Sequence, residues 1–184
     1  STYPSVARTG EYGTTEAYRS HSRVCSSPMS QLRYLALGDS YTIGESVSVD
    51  ERWPEILCQR LSGDYRLDMA PPVIIAKTGW TTEELAAGIA DAKPAGPFEL
   101  VTLLIGVNNQ YRGLSIGEYR TQFGELLDAS VDFAGSQPGR VIVVSIPDWS
   151  VTPFAADRDR AAISAEIDAF NAINRAVTAA REAR

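Results

Sequence analysis

Hydrophobic and polar positions alternate between short apolar runs and helical stripes from Leu32 onward. Leu32 to Leu37 is an apolar run closed by Gly38, which predicts a buried strand. Trp53, Ile56, Leu57, Arg60 and Leu61 share one helical face, with Pro54 in the first turn and Gly63 past the expected end. Val73 to Ala76 predicts a second strand. Thr81 and Glu84 stand at capping-box spacing and open a helix that runs to about Ala92. Leu100 to Ile105 is a third strand, apolar almost throughout, as a strand covered on both faces should be. Ser115 and Glu118 repeat the capping-box spacing before a helix carrying Tyr119, Phe123, Leu126, Leu127 and Val131. Val141 to Ile146 is a fourth strand. Ile163, Ile167, Phe170, Ile173 and Val177 form one apolar stripe on a helix expected to reach the C-terminus.

Strands that alternate with helices imply right-handed crossovers and a parallel sheet between helical layers. In such sheets ligands bind beyond the carboxyl ends of the strands, so chemistry is sought where each strand stops. Residues 1–28 lack this periodicity and read as a disordered N-terminal tail or leader segment. Met29 is the expected natural start, and residues 29–184 form the expected domain.

The 184 residues suffice for one domain with a sizeable core. The formal net charge of −6 repels phosphate backbones and disfavours nucleic acid. No apolar run approaches the roughly 20 residues that cross a bilayer. Two cysteines, Cys25 and Cys58, make no disulfide framework and read as free thiols, which points to a cytoplasmic location. There is no histidine cluster, no cysteine pair at ligand spacing and no glycine-rich nucleotide loop, so neither metal nor cofactor is expected.

Three strand ends stand out. The first gives Gly38-Asp39-Ser40-Tyr41, the second leads to Lys77-Thr78-Gly79-Trp80, and the third gives Gly106-Val107-Asn108-Asn109. A serine just past a strand projects its hydroxyl into the crevice. A tetrahedral acyl intermediate needs donors aimed at its oxyanion, and the Ser40 and Gly79 N–H groups with the Asn108 amide would supply three. Gly79 has no side chain to obstruct a ligand. Each signal alone is also an ordinary turn or helix cap.

In order and at successive strand ends, these segments resemble the SGNH (GDSL-type) hydrolase family. GDSYTIGE matches its first block, Gly79 in AKTGWTTEEL its second and IGVNNQ its third. The resemblance spans Leu32 to the C-terminus. It implies an α/β, flavodoxin-like three-layer sandwich, with Ser40 as nucleophile and Ser40, Gly79 and Asn108 as the oxyanion hole. The implied reaction is hydrolysis of small carboxylic esters or thioesters through an acyl-enzyme. The third block usually reads Gly-x-Asn-Asp, and Asn109 stands in place of that Asp. The segment SIPDWSVTPF also resembles the family and is expected to line the pocket.

The family's last block, Asp-x-x-His, should follow a fifth strand beyond the last helix, and the chain stops at Arg184. The domain is therefore expected to be C-terminally incomplete, lacking the last strand and the catalytic Asp and His. The fourth strand is then an exposed edge, open to self-association. His21 is the only histidine and reads as a solvated tail residue. Without a base a serine is a poor nucleophile. A catalytically incomplete binding protein of the same fold, or an acyltransferase using the same residues, are the alternatives. Gly113-Leu114-Ser115-Ile116-Gly117 matches the nucleophile-elbow pattern, but it does not follow a strand directly, and Ser115 reads as a helix cap. Asp148, at the end of the fourth strand, is weighed as a substitute triad acid and reads better as a turn carboxylate.

Overall fold

The computed structural model describes residues 31–184. The expected tail over residues 1–28, with His21, Cys25 and Met29, lies outside the described residues. The elements run β1 (Tyr34–Gly38), α1 (Ser40–Ile43), α2 (Trp53–Asp64), β2 (Val73–Ala76), α3 (Thr82–Ala92), β3 (Leu100–Leu104), α4 (Val107–Tyr111), α5 (Ile116–Phe133), β4 (Val141–Val143) and α6 (Arg160–Ala179). Short 3-10 turns at Trp149–Val151 and Pro153–Ala155 link β4 to α6.

The four strands form one parallel sheet in the order β2-β1-β3-β4. The chain moves one way from β1 to β2, then crosses back over β1 to β3 and on to β4. Right-handed crossovers send helices to opposite faces when the direction reverses. Tyr34 and Ala36 accordingly meet Trp53, Leu57 and Cys58 of α2 on one face. Leu35 and Leu37 join the larger core with Leu85, Phe123, Leu127, Ile167 and Phe170 from α3, α5 and α6. This is the three-layer α/β arrangement implied by the sequence, and every residue of β1 is buried. Thr102, the one polar residue in β3, shares a 2.8 Å hydrogen bond with the buried Tyr34 hydroxyl. Burial pushes that phenol far above its ordinary range, so it stays neutral.

Several boundaries differ from the expectations. Leu32 makes only an isolated bridge to Met69, and the strand proper starts at Tyr34. Helix α2 runs past Gly63 to Asp64, because the chain turns at Arg66, with φ of +56°, rather than at the glycine. Its buried positions are Pro54 and Cys58, while Ile56 is exposed. The Ser115 hydroxyl accepts the Glu118 N–H at 3.3 Å, but both residues are exposed and only this half of the capping box forms.

Strand β4 stops at Val143, short of the expected Ile146. The Asn171 side chain on α6 captures both backbone groups of Ile146, accepting its N–H at 2.8 Å and donating to its carbonyl at 2.9 Å. A side-chain amide thus replaces a strand partner. Helix α6 likewise ends at Ala179, and the chain folds back onto the sheet. Arg184 donates its N–H to Val141 O at 3.0 Å, and its carbonyl accepts Val143 N–H at 2.6 Å. The outer edge of β4 is therefore engaged at that point by the chain itself. No helix among the described residues is long and apolar enough to cross a membrane.

Replacing Asn171 with Ala strands a buried donor and a buried acceptor on Ile146. We expect a loss of about 2–3 kcal/mol in urea denaturation. An unchanged midpoint would show that Ile146 has another partner.

Candidate active site

The order in which strands are added reverses between β1 and β3, so their carboxyl ends flank the crevice that such sheets leave open. Gly38 pairs with Leu104 in the register of the two strands. A β-carbon at Gly38 would collide with the Thr42 hydroxyl and the Leu104 carbonyl. The glycine lets α1 begin directly at the end of β1. Asp39 caps that helix by accepting the Tyr41 N–H at 3.0 Å, which leaves Ser40 as its first residue, half-buried at the crevice.

Across the crevice, Asn108 sits in the first turn of α4, just past β3. Ser40 and Asn108 line one cavity of about 270 Å³, whose other walls are Tyr41, Val107, Tyr111, Trp149 and Phe154. Trp149 and Phe154 belong to the segment expected to line the pocket. Tyr111, Trp149 and Phe154 pack within 5.7–6.1 Å of one another, centroid to centroid. The Arg158 guanidinium lies 4.9–5.5 Å from the same three rings and donates to the Tyr111 hydroxyl at 2.9 Å. Gln110 holds the indole from behind. It accepts Trp149 Nε1–H at 2.9 Å and donates to Glu166 at 2.6 Å.

Gly79 reaches the same edge of the sheet from β2. Trp80 N–H donates to Lys77 O at 3.2 Å, closing a four-residue turn. Gly79 occupies its third position with φ of +86°, the left-handed value that a type II turn demands there. Asn108 Nδ2 donates to Trp80 O at 2.9 Å, which fixes its amide plane and ties this turn to α4. Its second amide proton has no protein partner among the described residues. Ser40 and Asn108 thus line one cavity; Gly79 is not among its walls, and its turn is tied to α4 through the bond from Asn108 to Trp80 O.

Asn109 departs from the common family pattern, and its contacts account for the amide. Its Oδ1 accepts Thr82 N–H at 3.1 Å, an orphan donor of the first turn of α3, and its Nδ2 donates to the Thr82 hydroxyl at 2.8 Å. That hydroxyl in turn donates to Gln122. A carboxylate could accept the first bond but could not donate the second, and would compete with Gln122 for the Thr82 hydroxyl proton.

Asp39 is fully buried, and its Oδ2 has no hydrogen-bond partner among the described residues. Burial raises its carboxyl from the ordinary 3.8 to about 7, against the lowering effect of the Tyr41 N–H. Tyr119, also buried, is pushed above its usual range by desolvation. It donates to Asn174 Oδ1 at 2.6 Å.

The weaker candidates resolve as structural groups. Ser115 caps α5 and is exposed. Asp148 caps the turn at Trp149–Val151, accepting Ser150 N–H at 2.9 Å and the Ser164 hydroxyl at 2.8 Å. Those bonds hold its carboxyl below the usual range. His21 lies outside the described residues, and residues 31–184 contain no histidine. No group of three or more His, Cys, Asp or Glu among the described residues is placed to hold a metal.

The sequence reading missed α1 and α4, and with them Tyr41, Tyr111 and Arg112; it also missed Arg158. The signal for α4 was the spacing of Asn108, Asn109 and Arg112, which fits one helical turn, but its polar character read as a loop.

The model of the GDSL-like lipase/acylhydrolase family matches residues 36–184. The chain belongs to that family. Its fold is also similar to solved structures. AlinE4, an SGNH-hydrolase family esterase, aligns at a TM-score of 0.67 and 19% identity, over 86% of this chain and 76% of that one. The lipase/acylhydrolase from Enterococcus faecalis aligns at 0.58 and 20% identity, over 83% and 74%. The psychrotrophic esterase EstA from Pseudoalteromonas sp. aligns at 0.57 and 17% identity, over 83% and 74%. No curated protein matches the chain in sequence. In this GDSL-family chain the first and third blocks are the segments that place Ser40 and Asn108 on one cavity.

Two expected outcomes follow from the buried polar groups. Between pH 4 and 7 the folded state keeps a proton on Asp39 that the unfolded chain has released, so stability falls as pH rises through this window. Asp39→Asn should remove a slope worth on the order of 2 kcal/mol between pH 5 and pH 8, read from denaturation midpoints. Equal slopes in the two proteins would mean that Asp39 is solvated. Asn109→Asp should cost about 1–3 kcal/mol, and more at pH 8 than at pH 5, because it buries an ionisable carboxyl and cannot donate to the Thr82 hydroxyl. A variant as stable as the parent at both pH values would exclude that account.

Proposed function

We propose that this chain carries the nucleophile and oxyanion donors of a serine esterase, which hydrolyses small carboxylic esters or thioesters through an acyl-enzyme on Ser40. The observation that carries the reading is the single cavity lined by Ser40 and Asn108, at the ends of the adjacent strands β1 and β3. The hydroxyl attacks the ester carbonyl. The carbonyl π electrons move to oxygen, and the Ser40 N–H, the Gly79 N–H and the second Asn108 amide proton stabilise that charge. Collapse expels the leaving oxygen or sulfur, which takes up the proton lost by Ser40 and departs as the alcohol or thiol, and leaves the acyl group on Ser40. The aromatic walls and modest volume suit a small acyl or alcohol group.

Proton removal from Ser40 needs a base, and residues 31–184 offer no imidazole. That favours a second reading for these residues taken alone, a fold that binds esters and turns them over weakly. An acceptor other than water would make the same acyl-enzyme an acyltransferase.

The test is acylation rather than turnover. The 184-residue chain is treated with p-nitrophenyl acetate, with and without added imidazole, and the modified residue is located by mass spectrometry. We expect acetyl on Ser40, faster with imidazole, and none at that position in Ser40→Ala. Equal p-nitrophenol release by the parent and Ser40→Ala, with Ser40 unmodified, would remove the serine from the mechanism.

A further inference from the structure

Arg112, the residue that caps the C-terminus of α4, makes contacts that neither the family blocks nor the cavity lining calls for. Arg112 Nη2 donates to Gly79 O at 2.6 Å. The same guanidinium approaches Glu84 Oε2 at 3.3 Å through Nη1. That carboxylate also accepts Thr81 N–H at 2.8 Å, and this bond, ahead of Arg112, holds the Glu84 carboxyl below its ordinary range. Arg112 therefore spans the turn from Gly79 to the start of α3.

Two side chains of α4 and that of its capping residue thus hold successive points of the second strand-end loop. Arg112 takes Gly79 O, Asn108 takes Trp80 O, and Asn109 takes the backbone and hydroxyl of Thr82. The bond at Gly79 has particular leverage. Glycine rotates more freely than any other residue, and the left-handed φ of +86° is one of several conformations open to it. The Thr78–Gly79 peptide carries the N–H, and the Gly79–Trp80 peptide carries the clamped carbonyl. With Trp80 fixed by Asn108, a held Gly79 carbonyl leaves the preceding peptide little freedom to turn. Beyond its chain neighbours, a β-carbon at Gly79 would come no nearer than 3.7 Å to any atom, that atom being Arg112 Nη2, so side-chain packing does not hold the glycine in place. Hydrogen bonds must do so.

We propose that Arg112 is a positioning residue, which fixes the direction of the Gly79 N–H by clamping the Gly79 carbonyl. The inference rests on the reading of that N–H as an oxyanion donor. A preorganised donor stabilises developing charge without reorganising during the reaction, so loosening the turn acts on the transition state more than on substrate binding. The guanidinium is suited to the task. Its planar fork reaches Gly79 O and Glu84 at once, which a lysine's single ammonium does less well. The ion pair is half-exposed and contributes little by itself, so the carbonyl contact carries the effect.

The test uses the full 184-residue chain and the variants Arg112→Ala, Arg112→Lys and Glu84→Gln. The first readout needs no catalysis. Hydrogen exchange at the Trp80 amide, which closes the turn, is compared with exchange at the β1 amides as an internal reference. We expect Arg112→Ala to speed Trp80 exchange by about tenfold relative to β1, Arg112→Lys to restore part of the protection, and Glu84→Gln to leave it unchanged. The second readout is p-nitrophenyl acetate hydrolysis with imidazole present, where kcat should fall by about tenfold in Arg112→Ala with KM nearly constant. Unchanged Trp80 exchange in Arg112→Ala, equal acceleration at β1, or an equal effect from Glu84→Gln would each overturn the proposal. So would a pure KM effect. If Ser40→Ala hydrolyses the ester as the parent does, the esterase reading fails, while the exchange result still decides whether Arg112 holds the turn.

Discussion

The register of β1 against β3 is the constraint on which the site depends. Gly38 pairs with Leu104, and the close approach of the two strands there tolerates no β-carbon. From that point the chain leaves both strands at the same level of the sheet, into α1 on one side and α4 on the other. A shift of one residue would turn Leu35 and Leu37 toward the α2 layer and expel Tyr34 from its bond to Thr102. The burial of β1 on both faces therefore fixes more than stability. It sets Ser40 and Asn108 on opposite sides of one crevice, to within the tolerance of a packed core.

Helix α4 converts that placement into an ordered site. Five residues long, it has too few internal hydrogen bonds to persist alone. Its side chains supply the connections instead. Gln110 fastens the Trp149 indole and α6, while Asn108, Asn109 and the capping residue Arg112 fasten the turn at Gly79 and the start of α3. One short helix thus joins the strand ends to the aromatic wall. Rigid support of this kind matters where charge develops, because donors that are already oriented need not be reordered as the bond forms.

Buried polar groups recur on the side of the core that faces the site. Asp39, Asn109, Asn171 and Asn174 are all buried, and most are bonded to backbone or to one another's neighbours. Asn171 ends β4 by occupying Ile146, and Tyr119 reaches Asn174 from α5. Such bonds contribute modest net stability, but leaving them unmade costs more, so they select one arrangement of α6 against the sheet. The exceptions among these four are Asp39 Oδ2 and Asn174 Nδ2, which have no partner among the described residues. Burial of Asp39 next to Ser40 raises its carboxyl to about 7, so the charge at this position changes near neutral pH.

The order of strands and helices, the continuous burial of β1 and β3 and the cap at Thr81 were legible in the sequence, because each rests on local periodicity or on a cap a few residues long. The three strand-end segments were legible too, since glycine and small polar residues interrupt apolar runs there, and their order matched a known family. The ends of elements were not. Gly63 looked like a stop for α2 and is not one, and Ile146 looked like strand until Asn171, 25 residues on, took both of its backbone groups. The helical state of Val107–Tyr111 was equally hidden, because its stability comes from bonds to Trp80, Thr82, Trp149 and Glu166 rather than from an apolar stripe. What the sequence by itself determined is therefore the layer architecture and the residues at the strand ends, which follow from hydrophobic burial and short-range backbone chemistry. Only the tertiary structure decided which polar side chains hold those ends in place, because hydrogen bonds between residues tens of positions apart leave no periodic trace along the chain.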